Sequence, residues 1–160
     1  MHAGGDGRLQ NARNGAAMDF FNSATRHDDD FGSEPDDGKM VRSPCERTLL
    51  EELAHLHEES AGAVPAATVR YALLFTGDVQ FVGFRWVNRQ LAEKHQLTGW
   101  VQNLDDGSVR MELQGAPAAV AAHFGRVHAC YAQYGNRIWL EMAERIDPVP
   151  DEERFEVVGI

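Results

Sequence analysis

Val69-Arg70-Tyr71-Ala72-Leu73-Leu74-Phe75-Thr76-Gly77-Asp78-Val79-Gln80-Phe81-Val82-Gly83-Phe84-Arg85 is the run whose reading decides the fold. Val69, Tyr71, Leu73 and Phe75 alternate with Arg70, Ala72, Leu74 and Thr76, the period of a strand, and both of its faces are largely apolar. Gly77 and Gly83 bracket a tight loop. From Phe84 the apolar residues Phe84, Val87, Leu91 and Ala92 recur at helical spacing, which predicts a helix over 84–95.

Toward the C-terminus the pattern stays compact and mixed. Residues 98–104 read as a second strand. Asp106-Gly107 is a strong hairpin signal. The third strand spans 108–114, with Val109, Met111 and Leu113 facing in and Arg110 and Glu112 facing out. Pro117 suits the first turn of a helix that runs to about residue 130. Residues 138–146 form a fourth strand, and after a turn at 148–153, residues 155–158 add a short last one. The order is strand, helix, strand, strand, helix, strand. It predicts an α+β fold, a ferredoxin-like βαββαβ sandwich whose antiparallel sheet carries two helices on one face. This domain is expected to occupy residues 68–160.

Toward the N-terminus the chain changes character. Residues 60–67 read as a linker. Residues 43–59 read as a helix: Ser43 caps it, Pro44 fits its first turn, and Glu46 completes a Ser-x-x-Glu capping box. Leu49, Leu50, Leu53 and Leu56 form one apolar stripe along it. That stripe needs cover, either from the bare face of the sheet or from a protein partner. Residues 1–42 carry Asp28-Asp29-Asp30 and Glu34-Pro35-Asp36-Asp37-Gly38. They are expected to be a disordered acidic extension, because they bury too little apolar surface to offset their ordering entropy.

Charge narrows the range of partners. The 160 residues carry a formal net charge of −10. Residues 1–66 hold 6 Lys and Arg against 13 Asp and Glu, so most of the acidity lies there. Such a surface repels nucleic-acid backbones and anionic membranes. Trp86, Trp100 and Trp139 are therefore read as packing residues rather than an RNA-stacking platform. No apolar run is long enough to span a bilayer, and the first 30 residues lack the basic start and apolar middle of a secretion signal, so a cytoplasmic protein is expected. Cys45 and Cys130 form no Cys-x-x-Cys pair. His55 and His57, and likewise His123 and His128, are spaced poorly for one helical metal face. No metal and no cofactor are expected.

The chemistry concentrates in the loop between the first strand and its helix. Glycines allow a chain to turn successive N–H groups inward, and a helix start adds unpaired donors and a positive dipole end. Arg85 brings a guanidinium fork to the same place. Together these make a cradle for an anion, although the same features also fit a plain structural turn. No Walker loop and no Gly-x-Gly-x-x-Gly occurs, and Asn136 stands where a thiolate phosphate loop built on Cys130 needs an arginine.

Gly77-Asp78-Val79-Gln80-Phe81-Val82-Gly83-Phe84-Arg85 resembles the first signature of the acylphosphatase family, commonly Gly-x-Val-Gln-Gly-Val-Gly-Phe-Arg. Gly99-Trp100-Val101-Gln102-Asn103, followed by Asp106-Gly107-Ser108-Val109, is similar to its second. Arg154-Phe155-Glu156-Val157 resembles its last strand. The resemblance covers about residues 68–160. It implies metal-independent hydrolysis of a small acyl phosphate, with inorganic phosphate as a product. It further implies that Arg85 and the backbone N–H groups of Asp78, Val79, Gln80, Phe81, Val82, Gly83 and Phe84 hold the phosphoryl oxygens. Asn103 would orient the attacking water through its amide oxygen. Three residues depart from the pattern. Phe81 replaces a glycine and is expected either to point to solvent or to crowd the phosphate. Asp78 puts a carboxylate beside the cradle, where it would repel an anion. Gln96 replaces a helix-ending glycine. The alternative is a non-catalytic phosphate-binding or regulatory domain of the same fold.

Overall fold

A computed structural model describes residues 41–63 and 67–159. The expected extension up to residue 40 and positions 64–66 of the expected linker lie outside the described residues. Eight elements are described: α1 (Pro44–Glu59), β1 (Val69–Gly77), α2 (Phe84–Lys94), β2 (Thr98–Asn103), β3 (Val109–Gly115), α3 (Pro117–Ala132), β4 (Ile138–Ile146) and β5 (Phe155–Val157). The strands form one sheet in the order β4-β1-β3-β2-β5. β1 pairs antiparallel with β3 and β4, and β2 pairs antiparallel with β3. The short β5 departs from the expected all-antiparallel sheet: it pairs parallel with β2, Gly99 opposite Phe155. The sheet is therefore mixed, with a ferredoxin-like centre.

Tyr71, Leu73 and Phe75 point from β1 into the main core. Phe75 meets Phe84 of α2 edge-on at 5.2 Å between ring centroids and Phe124 of α3 at 6.2 Å. Phe84 in turn lies 6.0 Å from Tyr131. This places α2 and α3 together on one face. At Gly99 a side chain could not be fitted, because a Cβ would run into the Glu112 carbonyl of the neighbouring strand. α2 ends in a Schellman motif, with Leu97 N–H donating to the Ala92 carbonyl at 2.8 Å and Gln96 N–H to Glu93 at 3.3 Å. Gln96 accordingly has φ 61°, the mild strain expected of a glycine replacement.

The placement of α1 corrects the expectation that its leucine stripe covers the bare face of the sheet. α1 packs beside α3 and over β4, on the same face as the other helices, and Leu49 and Leu53 join the common core. Tyr71, which faces the helices, has its hydroxyl pKa pushed up to about 12, first by burial and then by the charge of Glu52 on α1. The placement of the other two helices explains the choice. α2 lies over β2 and β5 and α3 over β3, which leaves the edge strand β4 to α1. The opposite face is also too polar for a leucine stripe. There Arg70 is 2% exposed and donates to Glu112 at 2.9 Å, Gln114 at 3.0 Å and Glu152 at 2.7 Å. Leu49 and Leu53, the centre of the stripe, are buried by the chain's own domain.

Ser43 caps α1, accepting from Glu46 N–H at 3.0 Å and donating to the Leu140 carbonyl of β4 at 2.5 Å. The capping box is half made. The buried Glu46 carboxylate turns to His128 Nε2 at 2.8 Å and to Arg42 Nε at 3.2 Å, and so ties α1 to α3.

Candidate functional site

β1 ends at Gly77, whose φ is 93° and whose Cβ, were there one, would strike the Arg137 carbonyl. That close approach lets Asp78 clamp the start of the loop to the start of β4. Asp78 N–H donates to the Arg137 carbonyl at 2.7 Å, and Asp78 Oδ2 accepts from Arg137 N–H at 2.8 Å. This corrects one expected donor: the Asp78 N–H is engaged and is not open to an anion. The Asp78 carboxylate, expected to repel a substrate, is held on the β4 side.

Three further anchors fix the loop. Val79 is buried in the core. The Gln80 side-chain amide donates to the Leu104 carbonyl at 2.7 Å and the Ser108 carbonyl at 2.9 Å, drawing the loop against the β2–β3 hairpin. From α3, the Tyr131 hydroxyl donates to the Val82 carbonyl at 3.1 Å. The hairpin itself is set by Asp106, which accepts from the Ser108 N–H at 2.9 Å and hydroxyl at 2.5 Å; the Ser108 hydroxyl is the first cause of a lowered Asp106 pKa.

Held in this way, the loop leaves donors over. Among the described residues, the N–H groups of Val79, Gln80, Val82, Gly83 and Phe84 donate to no protein group. Gly83 precedes α2 in the left-handed conformation with φ 76°, and no side chain caps the helix. No acidic residue lies in its first turn. Arg85 does, half-buried, and burial lowers its pKa from the ordinary value. Phe81 adopts φ 64°, a conformation that costs a non-glycine residue about 1–2 kcal/mol, and its side chain is 66% exposed. Of the two outcomes expected for it, the ring stands in solvent.

Asn103 is the last residue of β2, next to the Leu104 carbonyl that Gln80 holds. Its side-chain oxygen is buried and has no hydrogen-bond partner. An unsatisfied buried acceptor costs about 1–3 kcal/mol, so it needs a reason to persist. The Gln80 bridge brings the loop and Asn103 to the same end of the sheet.

Beneath α2, Asn88 donates to the Phe84 carbonyl at 2.8 Å and accepts from His123 Nε2 at 2.8 Å. His123 is fully buried, and burial foremost, with Arg126 and His95 adding, pushes its pKa down to about 3. It is therefore neutral, with its proton on Nε2. Sequence reasoning missed this support and the Gln80 bridge. Amides and a guanidinium are the loop's evident features in the sequence, and Gln80 beside the buried Val79 is the available signal for the bridge.

Fold and loop together define a ferredoxin-like α+β domain with an amide-lined, arginine-bearing loop at one end of its sheet. A family model described as Acylphosphatase matches residues 71–157. An acylphosphatase of Geobacillus thermodenitrificans is 40% identical over 91 residues, spanning 56% of this chain and 93% of that protein. One from Lacticaseibacillus paracasei is 32% identical over 87 residues, spanning 54% and 92%. The crystal structure of acylphosphatase from Bacillus subtilis superposes with a TM-score of 0.47 at 26% identity, covering 57% of this chain and 99% of that one. The chain belongs to the acylphosphatase family. α1 lies outside the matched stretch. No described helix is long and apolar enough to cross a membrane.

Proposed function

We propose that this chain hydrolyses acyl phosphates to a carboxylate and inorganic phosphate, without a metal. The observation that carries the reading is the buried, unpartnered amide oxygen of Asn103 at the sheet end where Gln80 holds the donor-bearing loop. In this reading Arg85 and the N–H groups of Val79, Gln80, Val82, Gly83 and Phe84 bind the phosphoryl oxygens, and Asn103 accepts a hydrogen bond from the attacking water. The water oxygen bonds to phosphorus. The phosphorus–oxygen bond to the acyl group breaks, and the carboxylate leaves with the electron pair. The water's proton passes to a phosphoryl oxygen, so no protein base is needed. Charge spreads over the phosphoryl oxygens in flight, and fixed donors that need no reorganisation supply most of the rate.

A second reading, phosphate binding without turnover, is favoured by the strained Phe81 in the middle of the loop. Hydrolysis of benzoyl phosphate by the intact protein, Arg85→Ala and Asn103→Ala separates the two. The hydrolase reading expects turnover that falls about 100-fold or more in Arg85→Ala and clearly in Asn103→Ala. Phosphate binding with no turnover in the intact protein supports the second reading.

A further inference from the structure

We propose that the buried hydroxyl of Tyr131 is a positioning group for the anion loop: by holding the Val82 carbonyl it turns the Gly83 N–H outward, as one of the donors that meet the phosphoryl group. The proposal rests on the reading of this loop as a phosphoryl site.

A trans peptide unit sends its carbonyl and its N–H in opposite directions. The unit joining Val82 to Gly83 is held at its carbonyl end, where the Tyr131 hydroxyl donates at 3.1 Å. Its N–H end therefore points away from that hydroxyl, and the Gly83 N–H donates to no protein group among the described residues. Tyr131 lies in the last turn of α3 and is buried, with its ring 6.0 Å from that of Phe84. The direction away from it leads out of the core.

This unit needs a hold more than its neighbours do. Gly83 has φ 76°, and a glycine takes the opposite sign of φ about as readily. The Val82–Gly83 unit can thus flip without strain at Gly83. Flipped, it presents a carbonyl oxygen where an anion needs a donor. One residue on, the Gly83 carbonyl is fixed by the first bond of α2, from the Val87 N–H at 2.9 Å. On the other side, Gln80 ties the loop to the hairpin. Tyr131 supplies the hold in between. Burial, foremost, pushes its pKa above the ordinary phenol value, so the hydroxyl keeps its proton and stays a donor.

Tyr131→Phe keeps the ring against Phe84 and removes the hydroxyl alone. The test compares the intact protein and this variant in three ways: inorganic phosphate binding followed at the backbone amides, nuclear Overhauser contacts of the Gly83 amide proton, and kcat/KM for benzoyl phosphate. Phosphate affinity is expected to weaken about fivefold in the variant, with kcat/KM falling at least as far and Tm nearly unchanged. A contact between the Gly83 amide proton and the ring at position 131 should be absent in the intact protein and appear in the variant. That contact in the intact protein overturns the proposal before any variant is made. Phosphate affinity within about twofold of the intact protein overturns the role of Tyr131 and leaves the phosphoryl site in place. A weakening that comes with a collapsed Tm makes Tyr131 a structural residue and overturns the proposal as well. No phosphate shifts on the loop amides of the intact protein overturn the phosphoryl site and the role of Tyr131 with it. Phosphate binding without turnover overturns the hydrolase reading alone, and affinity then decides for Tyr131.

Discussion

Two helices of this domain begin in opposite ways. α1 starts with Ser43 accepting from the Glu46 N–H, a proline in its first turn and an acidic side chain near its positive end. α2 starts with a left-handed glycine, no side-chain cap, no acidic residue and an arginine. The first start is closed by the chain itself. The second keeps a set of amide donors open at the positive end of a dipole, which is the arrangement that favours an anion. The contrast separates donors satisfied by the chain itself from donors left open. It also indicates why the loop before α2 needs so many outside anchors: Asp78, Gln80 and Tyr131 do by long-range bonds what a capping side chain does locally at α1.

The sharpest way to break the comparison is Arg85→Ala. It should lower acyl phosphate turnover about 100-fold or more, equivalent to about 3 kcal/mol of transition-state stabilisation, while thermal unfolding changes little. Lost activity accompanied by a collapsed Tm would make Arg85 a structural residue instead.

The support under α2 gives the next effect. Neutral His123 has a folded-state pKa of about 3, below its unfolded value near 6.5. Above 6.5 both states leave it neutral, and its contribution to stability is complete. As pH falls from 6.5 toward 3, only the unfolded chain takes up the proton, so stability drains at up to about 1.4 kcal/mol per pH unit from this residue. Denaturant unfolding at pH 7 and pH 5 should show a loss of about 2 kcal/mol, and His123→Gln should flatten that slope. An unchanged slope in the variant would remove His123 as the cause.

The closed start should respond in stability alone. Ser43→Ala removes the cap and the bond to Leu140, and is expected to cost about 1–2 kcal/mol in denaturant unfolding with kcat nearly unchanged. A matching loss of kcat would show that the two helix starts are coupled. Smallest is the loop strain. Phe81→Gly should gain about 1 kcal/mol or less, seen as a slightly higher Tm, because the relief of the left-handed backbone is partly cancelled by the freer unfolded chain.

Much of the fold was legible in the sequence. β4 was predicted over 138–146 and forms there, and the Asp106-Gly107 turn lies where composition put it. Alternation and turn chemistry are local, so they survive without knowledge of the partner. The side of the sheet taken by α1 was not legible. A leucine stripe states that a face must be buried but not against what, and the answer depends on α2 and α3 leaving β4 uncovered and on the Arg70 ion network across the sheet. In the candidate site, Gly77, Gly83 and Arg85 mark the loop in the sequence itself, while Asn103 is marked only by the family resemblance. The engagement of the Asp78 N–H was missed because its acceptor, Arg137, is 59 residues away. For His123 the sequence shows only a poor metal spacing, since nothing local marks a ring that is fully buried opposite Asn88.

A titration of the intact protein with inorganic phosphate, followed through its backbone amide resonances, reaches the open helix start without relying on turnover. Saturable shifts concentrated on Val79, Gln80, Val82, Gly83 and Phe84, weakened in Arg85→Ala, are the predicted result. Shifts that gather elsewhere on the molecule, or none on these five amides at millimolar phosphate, would contradict the claim that this end of α2 exists to hold an anion.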